Sequence, residues 1–323
     1  MQRSISYSPG RTKFRAMLSK INHKSFWLSR VYRFFVYVLL LDLTFIFLYP
    51  FMHMLVTSFM TDADLVDITV KWIPNEFRYQ NYIIAYNFLK VPVGLRNSII
   101  QTGLPVLGHI LSCSFIAYGF ARYKFPGRNF MFVLVLLSFI IPAQTIIVPM
   151  YINFVSIGWG KSILPLVVPT FFGFGLRGGL FIFIFRQFFM GLPTELEEAA
   201  LIDGCGSFRT FFTIILPLAR TTILVTAVLA MVWHWNDYFE PSIYITKASL
   251  FPLPHMLPGM YQEMIQVKNM FVINPVTGEL TEKILNEAVA MAGTVIVILP
   301  LMIAYLVLQK HFMQGIERTG LVE

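Results

Sequence analysis

Four polar side chains stand inside stretches that are otherwise apolar: Arg177, Trp235, Asn236 and Asp237. A guanidinium, an indole, an amide and a carboxylate can stack on and hydrogen-bond a polar solute. Each costs a few kcal/mol in a lipid-like interior unless it is paired or wetted. A second set lies in the polar stretch Pro193–Pro217, where Glu195, Glu197, Glu198 and Asp203 are carboxylates on short helical segments. The three glutamates fall at a helix start, where the dipole favours acid. Bond-breaking chemistry has no comparable support. Lys161-Ser162 after Gly160 looks like the end of a phosphate-binding loop, but the first glycine that such a loop needs falls on Val155. The six histidines stand at no metal-ligand spacing, and neither H-E-x-x-H nor G-x-S-x-G occurs. The chain is therefore expected to be no enzyme, to bind no ATP and to hold no metal.

The elements that must position these groups follow from local rules. Thr194 with Glu197 three residues on is a capping-box pattern, which predicts a helix running to about Asp203. Gly204 is suited to end it in a left-handed conformation. Ser207 is placed to cap a second helix and Pro217 to close it. Phe208, Phe211, Phe212 and Ile215 fall at i, i+3, i+4 and i+7, which predicts one apolar face. Ala199 and Ala200 are small enough to let another surface approach closely.

Composition sets the surroundings. Of 323 residues 56% are hydrophobic and only 13% charged, with mean hydropathy +0.67. Soluble domains carry about 25% charge, so an all-α membrane protein is the expected class. Six stretches can each cross a hydrocarbon core needing about 20 residues: roughly 34–59, 97–120, 129–152, 163–189, 220–245 and 286–309. Loop charges set their direction. Arg122, Lys124, Arg128, Arg186, Arg209, Arg220, Lys310 and Arg318 mark the cytoplasmic side, so both termini are expected there. Residues 1–33 hold eight basic residues and no acid, a cytoplasmic tail attracted to anionic lipid and no cleavable signal. The expected division is thus a tail at 1–33, a six-span membrane domain at 34–310 with its polar loop at 193–217, and a tail at 311–323.

Depth separates the readings of the intramembrane groups. Arg177 lies twelve residues before Phe189, about 18 Å from the cytoplasmic boundary at the helical rise. Gly173, Gly175, Gly178 and Gly179 around it suggest a broken or closely approached helix. Either it faces a solute path, or the helix starts later and leaves it at the outer rim, or it forms an internal pair, for which Asp42 is a candidate. The run from Trp233 to Pro241 sits midway along its span, deeper than an interfacial belt, which favours a helix break and a polar lining. Gln101, His109 and Gln144 are explained by hydrogen bonding within the bundle.

The pattern Glu198-Ala199-Ala200, three residues, Gly204, nine residues, Ile214-x-Leu216-Pro217 resembles the EAA loop of ABC-importer permeases. Asn97-Ser98, Ala121-Arg122, Phe125-Pro126-Gly127 and Trp235-Asn236-Asp237 with Pro241 extend the likeness, over about residues 50–320, to the carbohydrate branch of these permeases and the six-span subunit of maltose importers. The resemblance implies a type I (MetI-like) importer fold with six transmembrane helices and cytoplasmic coupling helices. It implies that Glu198, Ala199, Ala200, Asp203, Gly204, Leu216 and Pro217 couple to an ATPase. It further implies a second homologous permease, a homodimeric cytoplasmic ATPase carrying ATP and Mg, and an extracytoplasmic sugar-binding protein. The expected site is the bacterial inner membrane, with no cofactor on this chain and no nucleic-acid partner. The expected cargo is an oligosaccharide, acidic if Arg177 meets it; another small solute, or a non-transporting scaffold, is the alternative. Cys205 and Thr221 depart from the family's common Ala and Pro, and the end at Glu323 lacks its usual Lys-Gly.

Overall fold

The computed structural model describes residues 10–175, 177–267 and 285–319, and among these every regular element is helical. The beginning of the basic tail, most of the latter half of the loop before the last span, and the final four residues lie outside the described residues. The chain divides into two units, Met1–Val56 and Thr57–Glu323.

The first unit is helix α1 (Gly10–Thr57), whose part suited to a membrane is Ser29–Thr57. The helix continues without a break through the expected tail boundary at residue 33. Leu41, Phe47 and their neighbours are exposed on every side, as the apolar solvent of a bilayer allows. Asp42 is exposed on the same helix.

The second unit starts with two short helices, α2 (Asp62–Val66) and α3 (Gln80–Phe88), before the long α4 (Val91–Arg122). There follow α5 (Arg128–Ile140), α6 (Ala143–Ser156), α7 (Leu164–Val167), α8 (Gly178–Met190), α9 (Glu195–Ile202), α10 (Ser207–Leu218) and α11 (Arg220–Asn236). The last three are α12 (Phe239–Tyr244), α13 (Leu253–Val267) and α14 (Glu287–Thr319). Among the described residues, α1, α4 and α14 are each long and apolar enough to cross a membrane alone; up to six spans result if each bent helix pair counts as one.

Three of the six expected spans are broken. The third bends by 99° between α5 and α6, because Pro142 supplies no N–H and holds Ile141 extended at ψ 123°. The fourth is α7, a 3-10 turn at Val168–Phe172 and then an irregular stretch before α8. Its loose backbone groups find partners on α4: the Ser112 hydroxyl donates to the Thr170 carbonyl (2.6 Å) and accepts from the Gly173 N–H (3.1 Å). The fifth stops at Asn236. There the Asp237 carboxylate takes the N–H groups of Phe239 (3.0 Å) and Glu240 (3.3 Å) and starts α12.

Helix α4 is the post on which the second unit is built. Cys113, Ala117, Tyr118 and Phe120 pack with Phe181, Phe185 and Phe189 of α8 and with Phe211 and Ile215 of α10. Nearer its start, Asn97 donates to the carbonyls of Ser249 and Phe251, Gln101 donates to Leu250, and Ser98 accepts from the Leu253 N–H. Gln101 thus serves the bundle, as expected.

The segment after α1 is held by carboxylates. Asp62 takes Arg78 Nη1 (2.8 Å) and Asn286 Nδ2 (2.6 Å), tying it to the start of α14. Buried Asp64 closes a capping box with Thr61 and accepts Asn75 Nδ2 at 2.8 Å. Burial pushes its pKa up, but the Thr61 and Asn75 hydrogen bonds outweigh burial and hold it below its ordinary 3.8. A depressed carboxylate stabilises fully above its unfolded pKa and stops doing so as pH falls through the folded value. Asp64→Ala is therefore expected to cost about 1–2 kcal/mol at pH 7 and at pH 5. The difference from wild type should shrink only below about pH 4, as read by thermal melts of detergent-solubilised protein.

Candidate functional site

Two features sit at opposite ends of the same two helices. One is an exposed elbow between α8 and α11; the other is a cavity where α8 begins and α11 ends.

The elbow consists of α9 and α10. Helix α8 turns through 77° into α9, and α10 turns through 77° into α11. The end of α9 is built as expected. Gly204 adopts φ +78°, its N–H bonds to the Leu201 carbonyl, and the Cys205 N–H reaches back to Ala200 at 2.9 Å. That pair of bonds is a Schellman motif. The expected start of α9 is not what forms. Thr194 has helical dihedrals (φ −72°, ψ −24°) and makes no side-chain cap bond. Its intended partner Glu197 is drawn to Arg122 at the end of α4, Nε to Oε1 2.8 Å, in a pair with side chains only 9% and 20% exposed. Arg122 Nη2 donates to the Leu192 carbonyl at 2.7 Å.

Helix α10 departs from expectation at three points. Its N-cap is Gly206, so Ser207 is the first helical residue and caps nothing. The predicted single apolar face is kept in part: Phe208 and Phe211 both pack on the Phe115 ring of α4 (5.5 and 5.4 Å) and Ile215 is buried, whereas Phe212 is 51% exposed. A π-helical segment at Phe211–Ile215 changes the register after the first turn. Pro217 lies inside the last turn, and the chain bends at Ala219, two residues later. Of the coupling candidates, Glu198, Ala199, Asp203, Gly204 and Pro217 are exposed, Leu216 is half-buried and Ala200 faces inward. Only Ala199 of the two alanines is thus open to a partner. Leu201 and Ile202 (86% exposed), three and four residues on along α9, add an outward apolar face beside Glu198. The clue to them was an unassigned Leu-Ile pair directly before Asp203-Gly204.

The cavity measures about 460 Å³ and is lined by Gln144, Arg177, Asp237 and Glu240 among apolar neighbours such as Phe174 and Tyr244. Arg177 stands just outside α8, at φ +66°, so the helix does start later than a continuous span would. Its guanidinium lies 5.5 Å from the Phe139 ring and 5.4 Å from that of Trp233. Arg177 and Asp237 thus share one cavity. Trp235 and Asn236 do not join them. The Trp235 indole is 6% exposed and donates to the Val297 carbonyl of α14 (3.2 Å). Asn236 donates back to Val232 on its own helix (2.8 Å). Glu240 was overlooked as a wall residue. It comes three residues after Asp237, within reach of the same wall once α12 restarts the helix. Beside the cavity His109 is fully buried, edge-on to Phe181 (4.9 Å) and stacked on His234 (5.3 Å). Among the described residues, no three His, Cys, Asp or Glu side chains gather to hold a metal ion.

Helix α8 has 13 residues and α11 has 17, so about 20–25 Å of rigid helix separates elbow from cavity.

Residues 110–318 match the family described as the binding-protein-dependent transport system inner membrane component. A probable permease protein for starch degradation products from Thermoanaerobacterium thermosulfurigenes is 30% identical over 85% of this chain and 91% of its own. An arabinooligosaccharides permease protein from Halalkalibacterium halodurans is 27% identical over 86% and 92%. A solved chain from a bacterial ABC transporter that imports the acidic polysaccharide alginate has a TM-score of 0.69 at 20% identity. The match covers 96% of this chain and 100% of that one, a likeness of fold.

Proposed function

The chain belongs to the family of inner membrane components of binding-protein-dependent transport systems, a permease subunit of an ABC importer and no enzyme itself, and we propose that its cargo is an oligosaccharide. An importer of this kind works with a partner permease, an ATPase and a substrate-binding protein. In our reading the ATPase is a cytoplasmic homodimer that carries ATP and Mg, the second permease is homologous to this chain, and both termini face the cytoplasm. The observation that carries the reading is the shared pair of helices, with an exposed, capped elbow at one end and a polar-walled cavity at the other.

The proposed mechanism follows from that arrangement. The ATPase cleft takes the exposed face of α9 around Glu198, Ala199 and Asp203. Closure of the ATPases on ATP displaces the elbow as a rigid body, since the Schellman motif at Gly204 keeps its bend from absorbing the motion. Helices α8 and α11 carry the displacement to Arg177 and Asp237. The break before α8 and the one after Asn236 let those walls open and close. The sugar reading is supported by the two relatives whose names carry a carbohydrate cargo.

Arg177 makes an acidic sugar the favoured cargo, because a guanidinium and a uronate form a charge-assisted pair. Vesicles holding this permease with its partner subunits should take up uronate-bearing oligosaccharides when ATP is supplied. Arg177→Ala should lower that uptake about tenfold or more and neutral-sugar uptake far less. Equal loss on both would remove the acidic reading, and no uptake of any oligosaccharide would remove the carbohydrate one.

A further inference from the structure

Helix α9 has eight residues, too few to hold itself in water. Its C-terminal end is held by the Gly204 turn, but its N-terminal end lacks the side-chain cap that Thr194 could have given. What holds that end lies 75 residues earlier in the chain. Arg122 reaches Glu197 with Nε and the Leu192 carbonyl with Nη2, so one guanidinium binds both α9 and the connection leading into it. One turn before Arg122, the Tyr118 ring packs on Phe189 of α8 (5.9 Å) and Phe211 of α10 (5.1 Å). The end of α4 therefore grips the elbow on its entry, on α9 and on its exit.

The ion pair also sets the rotation of α9 about its own axis. With Glu197 turned inward, the next residue, about 100° further round, must face out, and Glu198 does. Glu195 and Glu197 open the same helix with the same charge, yet only Glu197 is withdrawn from the outer surface.

We propose that Arg122 and Glu197 are a positioning pair that locks the elbow to α4, so that a pull on α9 moves the membrane helices and does not merely twist α9 in its socket. This rests on the reading that the elbow docks on the ATPase, but it assigns different residues and a different observable. Attachment of the ATPase belongs to Glu198; transmission belongs to Arg122 and Glu197.

The test uses the assembled importer in vesicles, with three measurements: ATPase retained on the permease, solute moved per ATP hydrolysed, and amide exchange of residues 195–203. Arg122→Gln and Glu197→Gln should each retain the ATPase within about twofold. Each should lower solute per ATP about tenfold and speed exchange at 195–203 by a similar factor. The exchanged pair, Arg122→Glu with Glu197→Arg, should recover a large part of both. Glu197→Gln, which keeps shape and removes only charge, carries the test if Arg122→Gln does not fold. An unchanged transport ratio in Glu197→Gln, or an exchanged pair as poor as the single variants, overturns the proposal. Glu198→Lys run alongside separates the two ideas: if it retains the ATPase the docking reading fails, while exchange at 195–203 still reports on the lock.

Discussion

Glu198→Lys is expected to strip the permease of its ATPase. The side chain is exposed in the first turn of α9, where the helix dipole favours acid, and lies beside the outward Leu201 and Ile202 of the same helix. A carboxylate in that setting, sunk into a cleft with a basic partner, becomes a desolvated charge pair at the centre of an apolar contact. Removing one member of such a pair costs about 2–5 kcal/mol, and charge reversal adds repulsion. The ATPase should then bind at least about 30-fold more weakly, and ATP-driven uptake should fall to background. Glu195→Lys, on the same helix one turn earlier and also exposed, should cost much less. Titration of purified ATPase against permease in detergent reads both. An affinity unchanged by Glu198→Lys would remove the coupling role from the elbow.

What the sequence disclosed and what it hid divide along the range of the interactions. The Gly204 turn was legible because everything it needs is within five residues: a left-handed position, a glycine to occupy it, and carbonyls behind it. The glycines around Arg177 likewise announced a break that is there. The capping box was misread because Glu197 has a better partner 75 residues away, and a nearly buried ion pair outweighs a solvent-exposed N-cap. Phe212 was placed on one apolar face with Phe208, Phe211 and Ile215 on a 3.6-residue period, which the π segment at Phe211–Ile215 does not keep. Trp235 looked like part of a polar lining by its neighbours, yet its N–H belongs to Val297 on the last helix. The cavity shows the same rule. Arg177 and Asp237 were each suspected alone, but their meeting, with Glu240 and Gln144, depends on how two broken spans cross.

That crossing can be tested at Gly179, the second residue of α8. A Cβ built there would stand 2.6 Å from the Val135 carbonyl oxygen, 2.9 Å from Ser138 Oγ and 3.2 Å from Phe139 Cβ. The first of these is backbone of α5 and cannot swing aside, so α5 and α8 must separate before any side chain fits. Overpacking of this kind costs about 1–3 kcal/mol. Gly179→Leu, with four carbons to place, is expected at or above the upper end, with Gly179→Ala lower. Separation would also move Phe139 away from Arg177, whose guanidinium lies 5.5 Å from that ring. Gly179→Leu should therefore show a lower melting temperature, a several-fold smaller yield of folded protein, and uptake near background in what survives. ATPase binding in the surviving fraction should persist, because the elbow lies about 20 Å along the helix. Gly103→Ala, on α4 with nothing within 4 Å of its added carbon, is the matched control and should melt at or slightly above wild type. If Gly179→Leu folds and transports as wild type does, the mouth of α8 is not a wall of the path, and Arg177 loses its place there along with it.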